Sequence, residues 1–204
     1  MSRRQRREEA RRIRWRRARA LLASGLVLGV GTAVTLAAWN DAEYGAATFA
    51  AGRFGIVGAT DGTTFSEHGS VGAAATLSFQ APPTAMAPGQ TTYALYSVKT
   101  TNPSVAGTVQ LVAGAPTGGL AGVLRYGVRA IGGIVCNATT YAAGTTVVPD
   151  GSALTTNGSG SLPLPADGAS AVNYCFAITL PSGADNSAQG QTMSQTWQFS
   201  AVSG

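Results

Sequence analysis

Short runs in which apolar and polar residues alternate recur along the chain after residue 40. The clearest example extends from Val123 to Ala130, where the even-numbered positions are apolar and Arg125 and Arg129 share the other face. Successive side chains of a strand point to opposite faces of its sheet, so this alternation predicts a strand with one buried and one solvent-facing side.

Further runs of this kind are separated by stretches rich in Gly, Pro, Ser and Asn, and helical periodicity is absent from this part of the chain. We expect eight or nine strands, among them Thr48–Val57, Leu77–Phe79, Tyr93–Val98, Thr108–Val112, Val123–Ala130, Thr139–Val148, Tyr174–Leu180 and Trp197–Ala201. Turn-rich stretches lie at Ala115–Gly122, Pro149–Gly168 and Pro181–Gly190, and the second is predicted to be a surface loop. The pattern predicts a single all-β domain, a sandwich or a barrel, over residues 38–204.

The N-terminus has a different character. Residues 1–19 contain ten arginines and two glutamates, a local charge of +8, and are followed by an uncharged run from Ala20 to Ala38. The whole chain carries +5, so the remainder carries −3 and the basic pI of about 9.7 belongs to the leader. Arginines placed directly before an apolar run are typical of an export signal, and we favour this interpretation over a nucleic-acid-binding arm.

The uncharged run has the length of a membrane span, about 28 Å as a helix, but its composition favours cleavage. Gly25, Gly29 and Gly31 weaken the helix, and small residues precede Ala37 and Ala38. We therefore expect a signal peptide over residues 1–37, with an Arg-rich region at 1–19 and an apolar region at 20–37. The mature chain then begins at Ala38 or Trp39, and the membrane is involved only through the leader.

The residues around this junction resemble those of the TasA/camelysin family of exported proteins. Ala37-Ala38 precede Trp39-Asn40-Asp41, and Ala47-Thr48-Phe49-Ala50-Ala51-Gly52 follows shortly afterwards. The resemblance implies cleavage after Ala37 by a SipW-type signal peptidase and a jelly-roll-like antiparallel β-sandwich after the signal helix. It also implies a secreted or cell-surface location, assembly into biofilm-matrix fibres, and co-exported homologous subunits as partners.

Cys136 and Cys175 are the two cysteines of the chain. An even number of cysteines in an exported protein predicts a disulfide, although two buried thiols in neighbouring strands are the alternative. Closing a loop of about 40 residues contributes roughly 4 kcal/mol to stability in the chain-entropy model.

Enzymatic chemistry has little support in the sequence. His68 is the single histidine, so the His-Glu-x-x-His zinc site of metalloproteases cannot be built, and a camelysin-like protease is disfavoured. No Gly-x-Ser-x-Gly elbow, phosphate loop or dinucleotide motif occurs. Asp61 and Asp150, with Gly and Thr neighbours, are the candidates for a calcium site, but Asp-Gly is first a turn signal and we predict no metal or cofactor.

We therefore expect an extracellular structural protein that does not bind nucleic acid. After cleavage, the segment containing Trp39, Asn40, Asp41, Thr48 and Phe49 is free to add as a strand to a neighbouring copy, with Trp39 and Phe49 as anchors. Alternatively, residues 38–50 form the first strand of their own sheet. Amyloid-like stacking through Val172–Leu180 is a weaker route to fibres.

A secreted monomeric binding module or adhesin is the runner-up function, and an enzyme is third. The chain has no Leu-Pro-x-Thr-Gly motif or apolar tail, so we do not expect covalent attachment to the cell wall by that route.

Overall fold

The computed structural model describes residues 3–34, 41–81 and 85–204, and the chain separates into two units, Met1–Phe49 and Ala50–Gly204. Helix α1 of the first unit spans Arg3–Val34. Residues 41–55 contain neither helix nor strand. Among the described residues, no helix combines the length and the apolar character needed to cross a membrane.

The second unit is built from strands that pair only in antiparallel fashion over the described residues. They are β1 (Ile56–Ala59), β2 (Thr91–Thr100), β3 (Gly107–Ala113), β4 (Arg125–Ile131), β5 (Thr145–Ala153), β6 (Ser161–Leu164), β7 (Val172–Thr179) and β8 (Trp197–Ser203). A five-stranded sheet has the order β1-β2-β7-β4-β5, and a three-stranded sheet has the order β6-β3-β8. The short helix α2 spans Ala138–Ala143, and 3-10 turns occupy Val71–Ala73, Ala166–Gly168 and Asn186–Ala188. The expectation of an all-β domain is confirmed.

One hydrophobic core is shared by the two sheets. Tyr126 of β4 and Phe176 of β7 are buried from the five-stranded sheet, and Val109 and Leu111 of β3 are buried from the other. The alternation in the sequence places these side chains on the inner faces, as it predicted for β4. Burial raises the pKa of Tyr126 to about 12, because the phenolate is disfavoured in the core.

The outer face of β4 and β7 is also covered in part, which corrects the expectation that it is fully wet. Helix α2 packs Tyr141 against this face, beside Cys175. Arg129, predicted to face water, lies 4.9 Å from the centre of the Tyr141 ring and pairs with Asp150 at 2.9 Å. A second cluster therefore lies outside the sheet, because the chain after β4 folds back over it and is held there by Cys136.

The predicted strand Thr139–Val148 is wrong in its first half, which forms α2. The Asn137 side chain accepts from the Thr140 N–H at 2.9 Å, and the Thr140 hydroxyl accepts from the Asn137 N–H at 3.0 Å. This capping box satisfies the N–H groups of Thr140 in the helix and of the N-cap residue Asn137, and it outweighs the β preference of the threonines. The predicted loop 149–168 is wrong in part, since β5 continues to Ala153 and β6 lies within it.

Two predicted strands near the N-terminus are much shorter in the structure. Thr48–Val57 contributes only Ile56 and Val57, the first two residues of β1. Leu77–Phe79 contributes a single bridge between Phe79 and Ala94. Both segments alternate in the sequence, but only a few of their residues lie beside a strand with free hydrogen-bonding groups.

Candidate functional site

Two sheets have four edge strands, and three of these edges are closed by the chain itself. On β1, Gly58 exchanges main-chain hydrogen bonds with Ser66 at 3.0 and 2.9 Å. On β5, the Val147 carbonyl accepts from the Ser159 N–H at 2.9 Å. On β6, Pro163 has no N–H to offer. Exposed edges pair readily with other chains, and these features hinder pairing at three of the four edges.

The free side of β8 has no such protection. The Gly114 N–H donates to the Thr196 carbonyl at 2.9 Å, and the Gly204 N–H donates to the Ala106 carbonyl at 3.2 Å. With the β3–β8 register, these two bonds show which residues of β8 are hydrogen-bonded to β3. Even-numbered residues of β8 therefore bond to β3, and odd-numbered residues direct N–H and C=O away from it. In the described part of the chain, no main-chain group pairs with these outward groups. The strand also contains no proline and no charged residue.

Beside this edge lies a groove of about 1340 Å³ that is lined mainly by apolar side chains. Phe199 of β8 stacks on Tyr96 of β2 at 4.7 Å between ring centres, and Trp197 packs on Phe176 at 4.9 Å. Leu77 and Met86, from the chain between β1 and β2, line the groove and pack against the core. The core of the domain is thus accessible next to a strand edge with free hydrogen-bonding groups.

Three polar atoms of groove-lining residues are buried without a hydrogen-bond partner among the described residues: His68 Nδ1, Gln195 Oε1 and Trp197 Nε1. The Gln195 amide nitrogen donates to the carbonyls of Gly114 at 2.9 Å and Thr196 at 3.1 Å, which leaves Oε1 as an acceptor. Unpaired buried polar atoms destabilise a structure. These unpaired atoms therefore show that the polar groups of this part of the fold are incompletely satisfied within the described residues.

Among the described residues, the charged side chains that line the groove are Glu67 and Asp185, both acidic. Hydrogen bonds from the hydroxyl and the N–H of Ser187 lower the pKa of Asp185, so it is ionised at neutral pH. Burial raises the pKa of Tyr96 and keeps its phenol neutral. The groove is therefore suited to an apolar occupant without negative charge on its inner side.

The predicted assembly segment is described only in part. Ala37, Ala38, Trp39 and Asn40 lie outside the described residues, so the predicted cleavage site and the first anchor do too. Asp41, Thr48 and Phe49 are exposed and lie outside every strand, with 91% of Phe49 accessible. The structure thus places the described residues of this segment outside the sheets of their own chain.

The predicted disulfide is confirmed. Cys136 and Cys175 are bonded, with their Cα atoms 5.3 Å apart, and Cys175 is fully buried in β7. This bond attaches the segment before α2 to the outer face of the five-stranded sheet. It lies on the face opposite the core and has a structural role.

The residues considered for chemistry are not gathered into a site. Within the described residues, no group of three or more His, Cys, Asp or Glu side chains is placed to hold a metal ion. The Asp61 carboxylate accepts from the N–H groups of Thr63 and Thr64 at 2.8 and 2.7 Å, which lowers its pKa as in a tight turn. Asp150 is engaged by Arg129 and Tyr141. His68 has Nε2 within 3.3 Å of the Ser66 hydroxyl and lines the groove.

The open β8 edge and its groove were not identified from the sequence, although part of the signal is present. Trp197–Ser203 lacks the proline that interrupts the edges at Pro149 and Pro163. Which strands form edges depends on the topology, and short sequence patterns do not encode it. The chain matches no protein-family model and no curated protein sequence, so its function is argued from this geometry.

Proposed function

We propose that this chain is an exported structural protein whose copies assemble into extracellular fibres or a cell-surface layer. The N-terminal segment of one copy adds as a strand to the β8 edge of the next and fills the apolar groove beside it. The observation that carries this proposal is the contrast between the open, uncharged β8 edge and the three edges closed at Ser66, Ser159 and Pro163.

A strand added to this edge would be stabilised both by main-chain hydrogen bonds and by burial of apolar side chains. The outward groups of Trp197, Phe199, Ala201 and Ser203 would enter a ladder in which a typical hydrogen bond contributes about 1 kcal/mol net. Apolar side chains of the added strand would cover the groove at about 25 cal/mol per Å² buried. The fold proposed for this arrangement is a jelly-roll-like β-sandwich completed by the incoming strand.

Processing fits the same scheme. Cleavage after Ala37 by a SipW-type signal peptidase removes the Arg-rich leader and frees residues 38–49. Assembly then follows export, and other copies or co-exported homologous subunits are the partners. The uncut chain stays associated with the membrane through its leader, and nucleic acid has no part in the function.

A secreted monomeric binding module or adhesin is the second candidate, and the size of the groove is what favours it. A cavity of about 1340 Å³ with aromatic walls exceeds the volume of many small-molecule sites. In that case the groove would hold an apolar ligand rather than a strand, and the chain would remain monomeric. A camelysin-like protease has no comparable support among the described residues.

Negative-stain electron microscopy of purified residues 38–204 at increasing concentration tests the proposal. We expect uniform filaments from this chain and none after deletion of residues 38–46. Filaments that persist after the deletion would exclude the N-terminal segment as the added strand. A chain that stays monomeric at every concentration, alone and with its co-exported subunits, would favour the binding module.

A further inference from the structure

We infer that the added strand directs its even-numbered face into the groove, so that Tyr44 is the side chain that anchors it and Phe49 is not. This inference rests on the proposed function, because it concerns how the N-terminal segment occupies the β8 edge of a second copy. It differs from the expectation from sequence, in which Trp39 and Phe49 are the anchors.

The charges of the segment distinguish its two faces. In an extended strand, Asp41 and Glu43 share one face, whereas Ala42, Tyr44 and Ala46 share the other. A strand added to β8 has one face against the core and one against solvent. Placing the odd-numbered face inward would bury two carboxylates, which is unfavourable unless each is paired.

The lining of the groove strengthens this assignment. Its charged side chains in the described residues, Glu67 and Asp185, are themselves acidic and would repel an inward carboxylate. With the even-numbered face inward, Asp41 and Glu43 point to solvent.

The reach of the chain accommodates this assignment. Arg53 is held in its own subunit, because its carbonyl accepts from the Val105 N–H at 2.8 Å. The seven residues of β8 span about 23 Å, and an added strand needs a similar number of residues. If residues 48–52 cross to the neighbour, residues 41–47 remain to pair with β8. Phe49 then lies in the crossing segment.

The chemistry of the groove also matches tyrosine. The lining combines apolar side chains with exposed polar ones such as Glu67 and Asp185, and a phenol supplies an apolar ring with a hydroxyl donor at its tip. Phenylalanine offers the ring alone. Ala42 and Ala46, on either side of Tyr44, leave room for the Trp197 and Phe199 rings of the acceptor strand.

Two neighbouring alanines provide the test. Ala46→Asp places a carboxylate on the face assigned to the groove, and Ala47→Asp places the same carboxylate on the face assigned to solvent. Both positions are exposed and lie outside the sheets of their own chain, so neither substitution disturbs that fold. In the chain of residues 38–204 we expect Ala46→Asp to abolish filaments, whereas Ala47→Asp assembles at the rate of the parent chain.

A binding measurement separates this inference from fibre formation itself. A labelled synthetic peptide of residues 38–49 is titrated with the chain that lacks residues 38–46, which we expect to remain monomeric, and the fluorescence anisotropy of the peptide is followed. We expect Tyr44→Ala in the peptide to weaken binding at least tenfold, Tyr44→Phe to weaken it severalfold, and Phe49→Ala to change it less than twofold.

The possible results lead to different conclusions. The reverse ranking of the two aspartate variants, or of the two alanine peptides, would overturn the inference while leaving strand addition in place. Equal tolerance of both aspartates in filaments would overturn it as well. If the peptide binds with the expected preference but the chain of residues 38–204 never forms filaments, the inference is supported and the fibre proposal is refuted.

Discussion

A proline placed on the free side of β8 should stop assembly without unfolding the domain. The N–H of Ala201 points away from β3, so Ala201→Pro removes no bond of the native ladder. The proline ring occupies the space that an incoming strand needs, and one hydrogen bond of about 1 kcal/mol is lost from the new ladder. Ala201 lies between Phe199 and Ser203, whose main-chain groups also point away from β3. A proline at this position therefore interrupts the acceptor edge within its length.

The adjacent position is the matched control. The N–H of Val202 points toward Thr108 of β3, so Val202→Pro leaves the Thr108 carbonyl without its donor. Loss of such a bond costs about 1–3 kcal/mol when the remaining group is buried. We expect Val202→Pro to lower the free energy of unfolding by this amount, and Ala201→Pro to lower it by less than about 1 kcal/mol.

Urea unfolding followed by tryptophan fluorescence measures stability, and sedimentation with electron microscopy measures assembly. The expected result is a stable Ala201→Pro chain that remains monomeric. If Ala201→Pro forms filaments like the parent chain, the β8 edge is not the site of strand addition. If its stability falls as far as that of Val202→Pro, the ladder assignment itself is wrong.

Three further predictions concern the stability of the domain. Replacing Cys136 and Cys175 together by alanine should lower the free energy of unfolding by about 4 kcal/mol, because the bond closes a loop across 39 residues. A loss below about 1 kcal/mol in a urea titration would contradict this loop-closure account. Burial raises the pKa of Tyr126 to about 12 and also raises the pKa of Tyr174. Because both phenols ionise at a lower pH in the unfolded chain, the stability that they contribute is complete below about pH 10 and is lost as the pH rises through their folded-state pKa values. Urea midpoints measured between pH 9 and pH 12 should fall steadily, and a flat profile would mean that these phenols ionise equally in both states. Gly58→Ala introduces a Cβ against the Tyr96 hydroxyl and should cost about 1–3 kcal/mol, a loss that Tyr96→Phe in the same chain should partly restore.

Alternation alone was sufficient to identify the four inner strands of the sheets and the edge strand β8. β2, β3, β4, β7 and β8 all overlap predicted strands, and Tyr126 and Phe176 are buried as the pattern requires. These strands have one face on a common core, so the pattern directly reflects burial. The disulfide was also predictable, because the even number of cysteines and the export expected from the leader both favour one.

The errors occur where a local or a topological effect overrides the pattern. Thr139–Val148 begins as a helix because Asn137 and Thr140 cap it, which is a signal that the sequence contains but that the alternation conceals. Leu77–Phe79 alternates like a strand, yet only Phe79 has a partner, on Ala94 of β2. Whether an alternating run becomes a strand depends on a free neighbouring edge, which is a property of the whole topology.

The candidate site illustrates the same dependence. The sequence of β8 predicts an ordinary strand. Its open edge is recognised only when the sheet order shows that β3 bonds to one side of β8 and that the other edge strands are protected. The chain has few charged residues with which to protect its edges, and it protects three of them by proline or by returning loops. A proline or a returning loop could protect the β8 edge in the same way, but neither is found there among the described residues. In the described part of the chain the β8 edge is open beside an accessible core, and we propose strand addition because it accounts for both the edge and the groove.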